Sequence, residues 1–581
     1  MKNPVYFCVL RQFAGLMPLL AWLLVWGGAP TRLEAAYNYP IGIPTAWTDP
    51  DVARPARPVS WASEVPGYYY VDWANGTDVG RTWGSPGAAR KTIPLTLGAG
   101  TYCEVAGTYS PSREWIDVKG AGTAGAWVAN TSGPAWLVGL DGNNRASLDS
   151  QLFLYGRYLC CEYLDNLAGN KRVQFSSAST SGGYEAKYML LRNCEFVGTR
   201  SNSRTSVPVE SNSVLDTTDI VIYKNHIHTS GPETPANIDE DGDCIMIGDT
   251  CKRIYVLDNE LHDVSGAGIG CATHSAGPSQ TSRIFLGRNH IYNTWGVGIG
   301  IKTTDHVVIS QNTCHSIKWT SWTGAKCIGG QYNLNSLWII FNHCYAGDLG
   351  IKIGSTSGPD PVNIHVIGNV VHDIYTAVND PSPDGDTGYS GAITLWGGAK
   401  RHIVGNTIYN CHNGIALPGA DSSEVAIENN IIANCLYHQI RIDDSGLTAI
   451  IRNNLLYQSG GAASIAFGDA NYTTSTANAL SNIDGLIEGD PLFVNVGTST
   501  ETRNLAVQAS SPAKDVGLVD TKLTFDVYAA YLAEFGVPIN VDFADSARPA
   551  GMGWDIGAYE VFSIQTKNIS TPSGLRIIQK N

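Results

Sequence analysis

The sequence predicts an all-β fold in which short parallel strands wind into a solenoid with three strands per coil. One phrase recurs between residues 193 and 454: an apolar or β-branched run, an asparagine, and an apolar residue two positions later. The aligned asparagines are 32, 34, 30, 23, 30, 27, 37, 24 and 24 residues apart, and a constant minimum with variable additions is typical of solenoids. They are Asn193, Asn225, Asn259, Asn289, Asn312, Asn342, Asn369, Asn406, Asn430 and Asn454.

Composition supports this fold class and argues against one class of binding partner. The 581 residues include 63 glycines, and only 15% are charged, which favours short strands joined by turns over long helices. A solenoid of this length needs no single large core, because each coil buries its apolar side chains on its neighbours. The net charge of −14 argues against a nucleic-acid partner.

Strand alternation assigns a direction to each position of the repeat. The residue two positions after each asparagine should point inward, and the residue after that should point outward. A second strand of the form small–Ile–x–apolar follows about ten residues later, as in "GIGIK" at 298–302, and a third strand leads into the next asparagine. We interpret the outward rings as a stacked packing ladder and not as catalytic groups. These rings are His228, His262, Tyr292, His315, Tyr345, His372 and Tyr409.

The ends of the chain differ from the repeat. Lys2, Arg11, the apolar run at 13–26 and "LEAA" at 33–36 predict a secretory signal, so we expect a secreted, extracellular or periplasmic protein. We expect the mature chain to have no membrane span and to be a monomer. The predicted segments are a signal peptide (1–36), a linker or wrap (37–67), an N-terminal cap with irregular coils (68–190), regular coils (191–485), a C-terminal capping segment (486–562) and a tail (563–581).

The cysteines leave two interpretations open. Twelve of the thirteen remain after the signal, and an even number in an exported chain is compatible with disulfides. Cys314 and Cys344 occupy equivalent repeat positions, as do Cys411 and Cys435, so stacking would bring each pair within bonding reach. The alternative is that they are small inward-facing core residues.

Two non-repeating phrases carry a family resemblance. "YYYVDWANGTDVGRTWGSPG" from residue 68 and "WDIGAYEV" at 554–561 resemble the opening and closing segments of exported parallel β-helix proteins. Together with the three-strand repeat, residues 68–480 resemble the right-handed parallel β-helix of the pectate-lyase-like superfamily. The resemblance implies a triangular prism with a cap at each end, and it is specific for fold rather than for function.

Loop insertions point to the small–Ile strand as the working face. The loops 229–243, 317–326 and 374–391 all precede this strand, and insertions on one face usually mark a binding face. Outward glycines and alanines there predict a shallow trough. Lys302 and Lys352 should stand in it two coils apart, at about 10 Å, with Lys326 in the intervening coil. The predicted catalytic residues are Lys302, Lys326 and Lys352.

This set of residues suits an acidic polysaccharide. A sugar ring stacks on tryptophan, and removing the proton beside a uronate carboxylate needs a base and a cation. The predicted substrate-binding residues are Trp319, Trp322, Trp396 and Arg441. Clustered carboxylates favour Ca²⁺, and the predicted ligands are Asp239, Glu240, Asp241 and Asp243. No organic cofactor is expected. β-Helix polysaccharide lyases are similar in combining carboxylate-bound calcium with a basic side chain, so a lyase is the main hypothesis.

Two alternatives remain open. Asp241 and Asp243 could act as the acid and base of a glycoside hydrolase, and "DGDCIMIG" at 241–248 partly resembles the paired-aspartate phrase of β-helix polygalacturonases. The histidine and arginine elements of that family have no clear counterpart here. The other alternative is a non-catalytic β-helix for glycan binding or surface adhesion, in which the acidic loop is a solvated turn and the lysines maintain solubility.

Overall fold

The computed structural model contains three long parallel sheets that run the length of the coils. The structure describes residues 36–141, 144–166, 172–175, 185–200, 205–210, 216–233, 242–271, 281–320, 324–354, 360–375, 391–419, 424–443 and 448–561. Within these residues, no helix is long and apolar enough to cross a membrane. Each coil contributes one strand to each sheet, so the predicted all-β solenoid with three strands per coil is confirmed.

The sheets are named by their place in the repeat. The pre-asparagine sheet comprises Ala186–Arg192, Thr217–Tyr223, Lys252–Leu257, Ser282–Gly287, Asp305–Ser310, Asn335–Ile340, Val362–Ile367, Arg401–Val404, Val425–Glu428, Ile450–Arg452 and Ile483–Asp484. The post-asparagine sheet comprises Glu195–Val197, His226–Ser230, Glu260–Val264, His290–Tyr292, Thr313–His315, His343–Gly347, Val370–Ile374, Thr407–Tyr409, Ile431–Ala433, Leu455–Tyr457 and Ile487–Glu488. The lysine sheet comprises Val173–Phe175, Val207–Val209, Ile245–Ile247, Ile269–Cys271, Val297–Lys302, Lys326–Gln331, Leu349–Ile353, Ile393–Leu395, Ile415–Leu417, Ile440–Ile442 and Ile465–Phe467.

The first coils are less regular. Their strands are Tyr68–Asp72, Thr96–Gly98, Tyr102–Ala106, Thr108–Tyr109, Trp115–Ala121, Ala135–Val138, Leu140–Asp141, Asn144–Leu148, Gln151–Glu162 and Leu164–Asn166. The long strand Gln151–Glu162 pairs through its first half with the lysine sheet and through its second half with the pre-asparagine sheet. It changes direction at Gly156, whose φ of +86° is open to glycine at little cost.

The asparagines form a continuous hydrogen-bonded ladder at one corner. Asn312, for example, donates through both its backbone N–H and its side-chain amide to Oδ1 of Asn342, at 2.9 and 3.0 Å. The same amide donates to the carbonyl of Leu286 in the preceding coil at 2.9 Å. The asparagine amides therefore satisfy buried backbone groups at this corner, and the residues two positions after the asparagines are buried, as expected.

The alignment was wrong at the first member of the ladder. Cys194, not Asn193, lies in register with Asn225 and donates its backbone N–H to Oδ1 of that residue at 3.0 Å. Asn193 occupies the preceding position, where the backbone is left-handed with φ of +54°. The equivalent residue has a positive φ in later coils too, as at Lys224 (+52°) and Asp258 (+53°), and asparagine tolerates this conformation well.

The cysteines are core residues, which is the second of the two interpretations given above. All twelve cysteines in the described part of the chain are buried thiols without a disulfide. Cys314 and Cys344 do stack in register on adjacent strands, as expected, but they remain unbonded. Burial raises the pKa of Cys160, Cys271 and Cys435 to about 12, so these thiols are poor nucleophiles.

The N-terminal wrap runs along the outer side of the pre-asparagine sheet. Ser310 donates to the carbonyl of Ile41 at 2.6 Å, and Tyr223 donates to Asp51 at 2.8 Å, so the wrap crosses several coils. The helix Val527–Phe535 covers the same sheet and places Tyr531 edge-on to Trp338 at 4.9 Å. It begins at the N-cap Asp526 and ends at Gly536, whose φ is +75°.

The remaining C-terminal elements close the solenoid. Ala470–Tyr472 pairs antiparallel with Ile465–Phe467 and is followed by the short helix Thr474–Ala477, which together cover the edge of the last coil. Further along are the strands Phe493–Asn495 and Asn504–Val507 and the 3₁₀ turns Thr500–Thr502 and Asp520–Lys522. Residues of this segment form a separate apolar cluster with the last strands of the post-asparagine sheet.

Candidate functional site

Lys352 lies in a single column of outward residues on the lysine sheet. Its strand position pairs with Gly329 on one side and with Thr394 on the other. Arg441 occupies the same column three coils after Lys352, about 14 Å away at the spacing of stacked strands. The part of this column that runs from Lys352 to Arg441 therefore has a basic residue at each end.

The glycines of the lysine sheet do not leave an open trough. Side chains from neighbouring positions fill the space above them: a Cβ at Gly270 would meet the sulfur of Met246 at 2.6 Å, and one at Gly300 would meet Val297 at 3.1 Å. A Cβ at Gly329 would meet Cδ of Lys326 at 3.2 Å. The trough expectation was therefore wrong for these glycines, because strand alternation gives the direction of a side chain but not the space its neighbours occupy.

Two of the three predicted lysines lie on adjacent strands: Lys326 pairs with Leu349, three residues before the column of Lys352, and its side chain extends over Gly329, the residue that pairs with Lys352. Lys326 and Lys352 are on adjacent strands, and they are 7% and 4% exposed. Lys302 is two coils before Lys352, as expected, but it pairs with Gln331 and lies two residues further along the strand. Lys302 is therefore displaced sideways from the column of Lys352.

The predicted substrate and calcium residues are only partly described. Trp319 is partly buried and packs against the hydrophobic core, whereas Trp396 lies beside Gly354 on the lysine sheet. Asp243 is buried and accepts the backbone N–H of Ala267 through Oδ1 at 2.6 Å, and its Oδ2 points toward Gly270. Trp322, Asp239, Glu240 and Asp241 lie outside the described residues, as do residues 376–390 of the loop 374–391.

The post-asparagine sheet carries the predicted ring ladder. His228 and His262 stack with centroids 5.1 Å apart and an interplanar angle of 4°, and His262 stacks on Tyr292 at 4.5 Å and 10°. The stack continues to His372 through rings that are nearly parallel. The predicted stacking is confirmed from His228 to His372.

A second column on this sheet was not predicted. The residue directly after the asparagine also lies on the outward side, and in four coils it contacts the ladder ring of the next coil. Nε2 of His226 is 2.8 Å from Nε2 of His262, and the pairs His290–His315 and His343–His372 repeat this contact at 3.0 and 2.8 Å. The signal was present in the sequence as the alternation Glu195, His226, Glu260, His290.

The other ring nitrogen, Nδ1, of each ladder histidine also has a hydrogen-bond partner on the next residue of the chain. Nδ1 of His262 is 2.7 Å from Oδ2 of Asp263, and Nδ1 of His372 is 2.7 Å from Oδ2 of Asp373. An ionised carboxylate only accepts hydrogen bonds, so Nδ1 carries the proton and Nε2 has a lone pair when the ring is neutral. The next residue thus sets the tautomer of the histidine.

Carboxylates join the histidines at the N-terminal end of this sheet. His226, Glu260 and His262 each offer a ligand atom, and these atoms lie within 4.8 Å of one another. Glu195, His226 and His228 form a second such group on the other side of the His226 ring. Among the described residues, groups of three that could hold a metal ion occur only here.

An aromatic cavity lies near the first coils, between the N-terminal wrap and the sheet beneath it. It has a volume of about 610 Å³ and is lined by Trp47, Trp127, Tyr158 and Tyr188, among other residues. Tyr158 and Tyr188 stack face to face at 4.7 Å, and Trp47 stands edge-on to both. Within the described residues, the buried indole N–H groups of Trp47, Trp127 and Trp136 have no hydrogen-bond partner.

Comparison with known proteins identifies the fold. The family model described as "Right handed beta helix region" matches residues 279–480. The match covers about a third of the chain and agrees with the stacked parallel coils of the fold. No curated protein matches its sequence significantly.

Solved structures resemble this β-helix protein at low identity. Pectate lyase Pel9A is 10% identical with a TM-score of 0.32, and the match covers 85% of this chain and 96% of that one. The family 6 alginate lyase AlyGC is 13% identical with a TM-score of 0.34, covering 74% and 56%. The lacto-N-biosidase from Eubacterium ramulus is 11% identical with a TM-score of 0.30, covering 72% and 68%. At these identities, the likeness concerns the fold alone.

Proposed function

We propose that this β-helix protein is an exported lyase that cleaves an acidic polysaccharide at the lysine sheet. The observation that carries the proposal is the burial of Lys326 and Lys352 on adjacent strands. Two cationic side chains on adjacent strands concentrate positive charge at one place on the sheet, which favours a negatively charged substrate group. A uronate carboxylate is a substrate group of that kind.

The arrangement fits β-elimination. One basic side chain removes the proton on the carbon beside the uronate carboxylate, and the neighbouring cation stabilises the charge that develops on the carboxylate. The glycosidic C–O bond then breaks, the leaving oxygen takes up a proton, and a carbon–carbon double bond remains in the sugar. In this proposal Arg441, three coils away in the same column, binds a carboxylate of a further sugar unit.

We expect Lys352→Met to lower the rate of polymer cleavage by at least about 100-fold, the usual loss when a general base is removed. The assay is ultraviolet absorbance of the unsaturated product on a panel of uronate polysaccharides, with and without Ca²⁺. The matched control is Lys252→Met, which removes a lysine from the pre-asparagine sheet and should leave the rate unchanged. Reducing ends without unsaturation would support the hydrolase alternative, and no cleavage of any polymer would refute the lyase.

The aromatic cavity favours glycan binding as a second candidate function. Its volume suits a mono- or disaccharide unit, and its stacked tyrosines and tryptophans offer flat faces to sugar rings. Unpartnered indole N–H groups at Trp47 and Trp127 suit the hydroxyl oxygens of a sugar. This candidate needs no catalytic residue and is independent of the lysines.

We expect Trp127→Ala to weaken binding of an oligosaccharide by about 30-fold, the effect of losing one buried aromatic anchor at a binding site. Trp47→Ala should act in the same direction, since Trp47 also lines the cavity. Isothermal titration calorimetry against oligosaccharides of the same panel measures the effect. Trp115→Ala is the control, because Trp115 is 49% exposed and lies outside the cavity. Equal affinities in all three variants would exclude the cavity as a glycan site.

A further inference from the structure

We propose that His226, Glu260 and His262 bind a divalent transition-metal ion, with zinc as the expected occupant. All three side chains project from neighbouring strands of the post-asparagine sheet, and their ligand atoms lie within 4.8 Å of one another. Two imidazoles and one carboxylate form a donor set that suits Zn²⁺ and leaves a fourth position for water or another ligand. The site is on a different face from the lysines.

The His226–His262 contact is close to the geometry that a metal requires. The two Nε2 atoms are 2.8 Å apart, whereas tetrahedral zinc with bonds of about 2.0–2.1 Å holds two nitrogens about 3.4 Å apart. Small rotations of the two rings are enough to increase the distance between the two nitrogens by this difference of about 0.6 Å. Glu260 is exposed, and it reaches the pair from the strand of His262.

Neighbouring side chains already orient the proposed ligands. The carboxylate of Asp263 holds the proton on Nδ1 of His262, so its Nε2 presents a lone pair toward His226. The hydroxyl of Tyr292 donates to Oε1 of Glu260 at 3.0 Å, which fixes that carboxylate. Ligands held from behind by carboxylates and hydroxyls are typical of metal centres.

The other histidine pairs provide an internal comparison. His290–His315 and His343–His372 have the same Nε2 contact, but among the described residues no carboxylate completes a group of three around either pair. Glutamates at the residue after the asparagine position occur only at Glu195 and Glu260, on either side of His226. Glutamates at this position therefore flank only the His226–His262 pair.

The test is direct metal binding to the untagged full-length protein, measured by calorimetry with Zn²⁺ and by the visible absorption of bound Co²⁺. We expect one Zn²⁺ per chain, loss of this binding in His226→Ala and His262→Ala, and about 10-fold weaker binding in Asp263→Asn. Glu260→Gln keeps an acceptor for Tyr292 and should also bind more weakly. Ca²⁺ should not compete, since it prefers oxygen ligands alone.

The control is His306→Ala. His306 also has carboxylate neighbours, Asp305 at 2.9 Å and Glu534 at 3.7 Å, but it belongs to no group of three. This variant should bind Zn²⁺ as the unsubstituted protein does. Circular dichroism establishes that each variant is folded, and zinc should raise the melting temperature of the unsubstituted protein but not that of His262→Ala. Undiminished binding in folded His226→Ala and His262→Ala, or no binding by the unsubstituted protein, would overturn the proposal.

Discussion

Asn342→Ala is expected to destabilise the central coils by about 4 kcal/mol, which is the penalty for two buried backbone groups at about 2 kcal/mol each. Oδ1 of Asn342 accepts the backbone N–H of Asn312 at 2.9 Å, and its amide donates to the carbonyl of Ile309 at 2.8 Å. Asn342 is fully buried, so water cannot replace these bonds. Urea unfolding followed by circular dichroism measures the loss.

Two further variants separate hydrogen bonding from the filling of space. Asn342→Asp keeps the volume and the acceptor but loses the amide donor and buries a charge, so its loss of stability should be at least as large as that of alanine. Asn335→Ala removes an asparagine at the edge of the same coil, where the amide donates to Asp305 at 2.9 Å, and should cost no more than about 1 kcal/mol. If Asn342→Ala and Asn335→Ala unfolded at the same urea concentration, the ladder would not be a source of stability.

The ladder also explains how much of the fold the sequence could predict. Every coil must satisfy the same buried backbone groups at the same corner, so asparagine recurs there, and the apolar residue two positions later recurs for the same packing reason. The rule that asparagine occupies this corner does not hold at Cys194. The preceding coil also presents a backbone N–H at this corner, that of Leu164, but Sγ of Cys194 accepts it at 3.4 Å in place of an amide oxygen, and Asn193 beside it gave a false alignment.

The candidate sites were less predictable because they depend on two columns at once. The ring ladder was found by following the third residue after each asparagine, but the contact between His226 and His262 joins the first residue of one coil to the third residue of the next. Similarly, alternation placed Lys352 on the outer face correctly, but the filling of the glycine positions by Met246 and Val297 depends on side-chain volume. The path of the N-terminal wrap depends on contacts that do not repeat, such as Ser310 with Ile41.

His343→Phe is expected to make the protein less sensitive to acid, because His343 is a group that must stay neutral in the folded state. Burial, followed by the nearby His372 and His315, lowers the pKa of His343 to about 3. In the unfolded chain the pKa returns to about 6.5, so between these values the unfolded state binds a proton that the folded state does not. Stability is therefore complete above about pH 6.5 and falls by up to about 4 kcal/mol as the pH drops toward 3.

Asp373, in the next coil, affects stability in a lower pH range than His343 does. Burial alone would raise the pKa of Asp373, but hydrogen bonds from His372, Arg503 and Asn410 outweigh it and lower the pKa to about 2. Its contribution is complete above about pH 4 and is lost as the pH falls through about 2. His343→Phe should therefore flatten the stability profile between pH 6.5 and about 4 and leave the steep loss below it.

His306 provides the control of opposite sign. A hydrogen bond from its ring to Asp305 is the main cause that raises the pKa of His306 above its usual value, so this histidine binds its proton more tightly in the folded state. Its contribution is complete below about pH 6.5 and is lost as the pH rises through the raised pKa. His306→Ala should therefore reduce stability at acidic pH, where His343→Phe increases it. Unfolding midpoints at pH 5 and pH 8 distinguish the two, and equal pH dependence in both variants would show that neither histidine controls acid sensitivity.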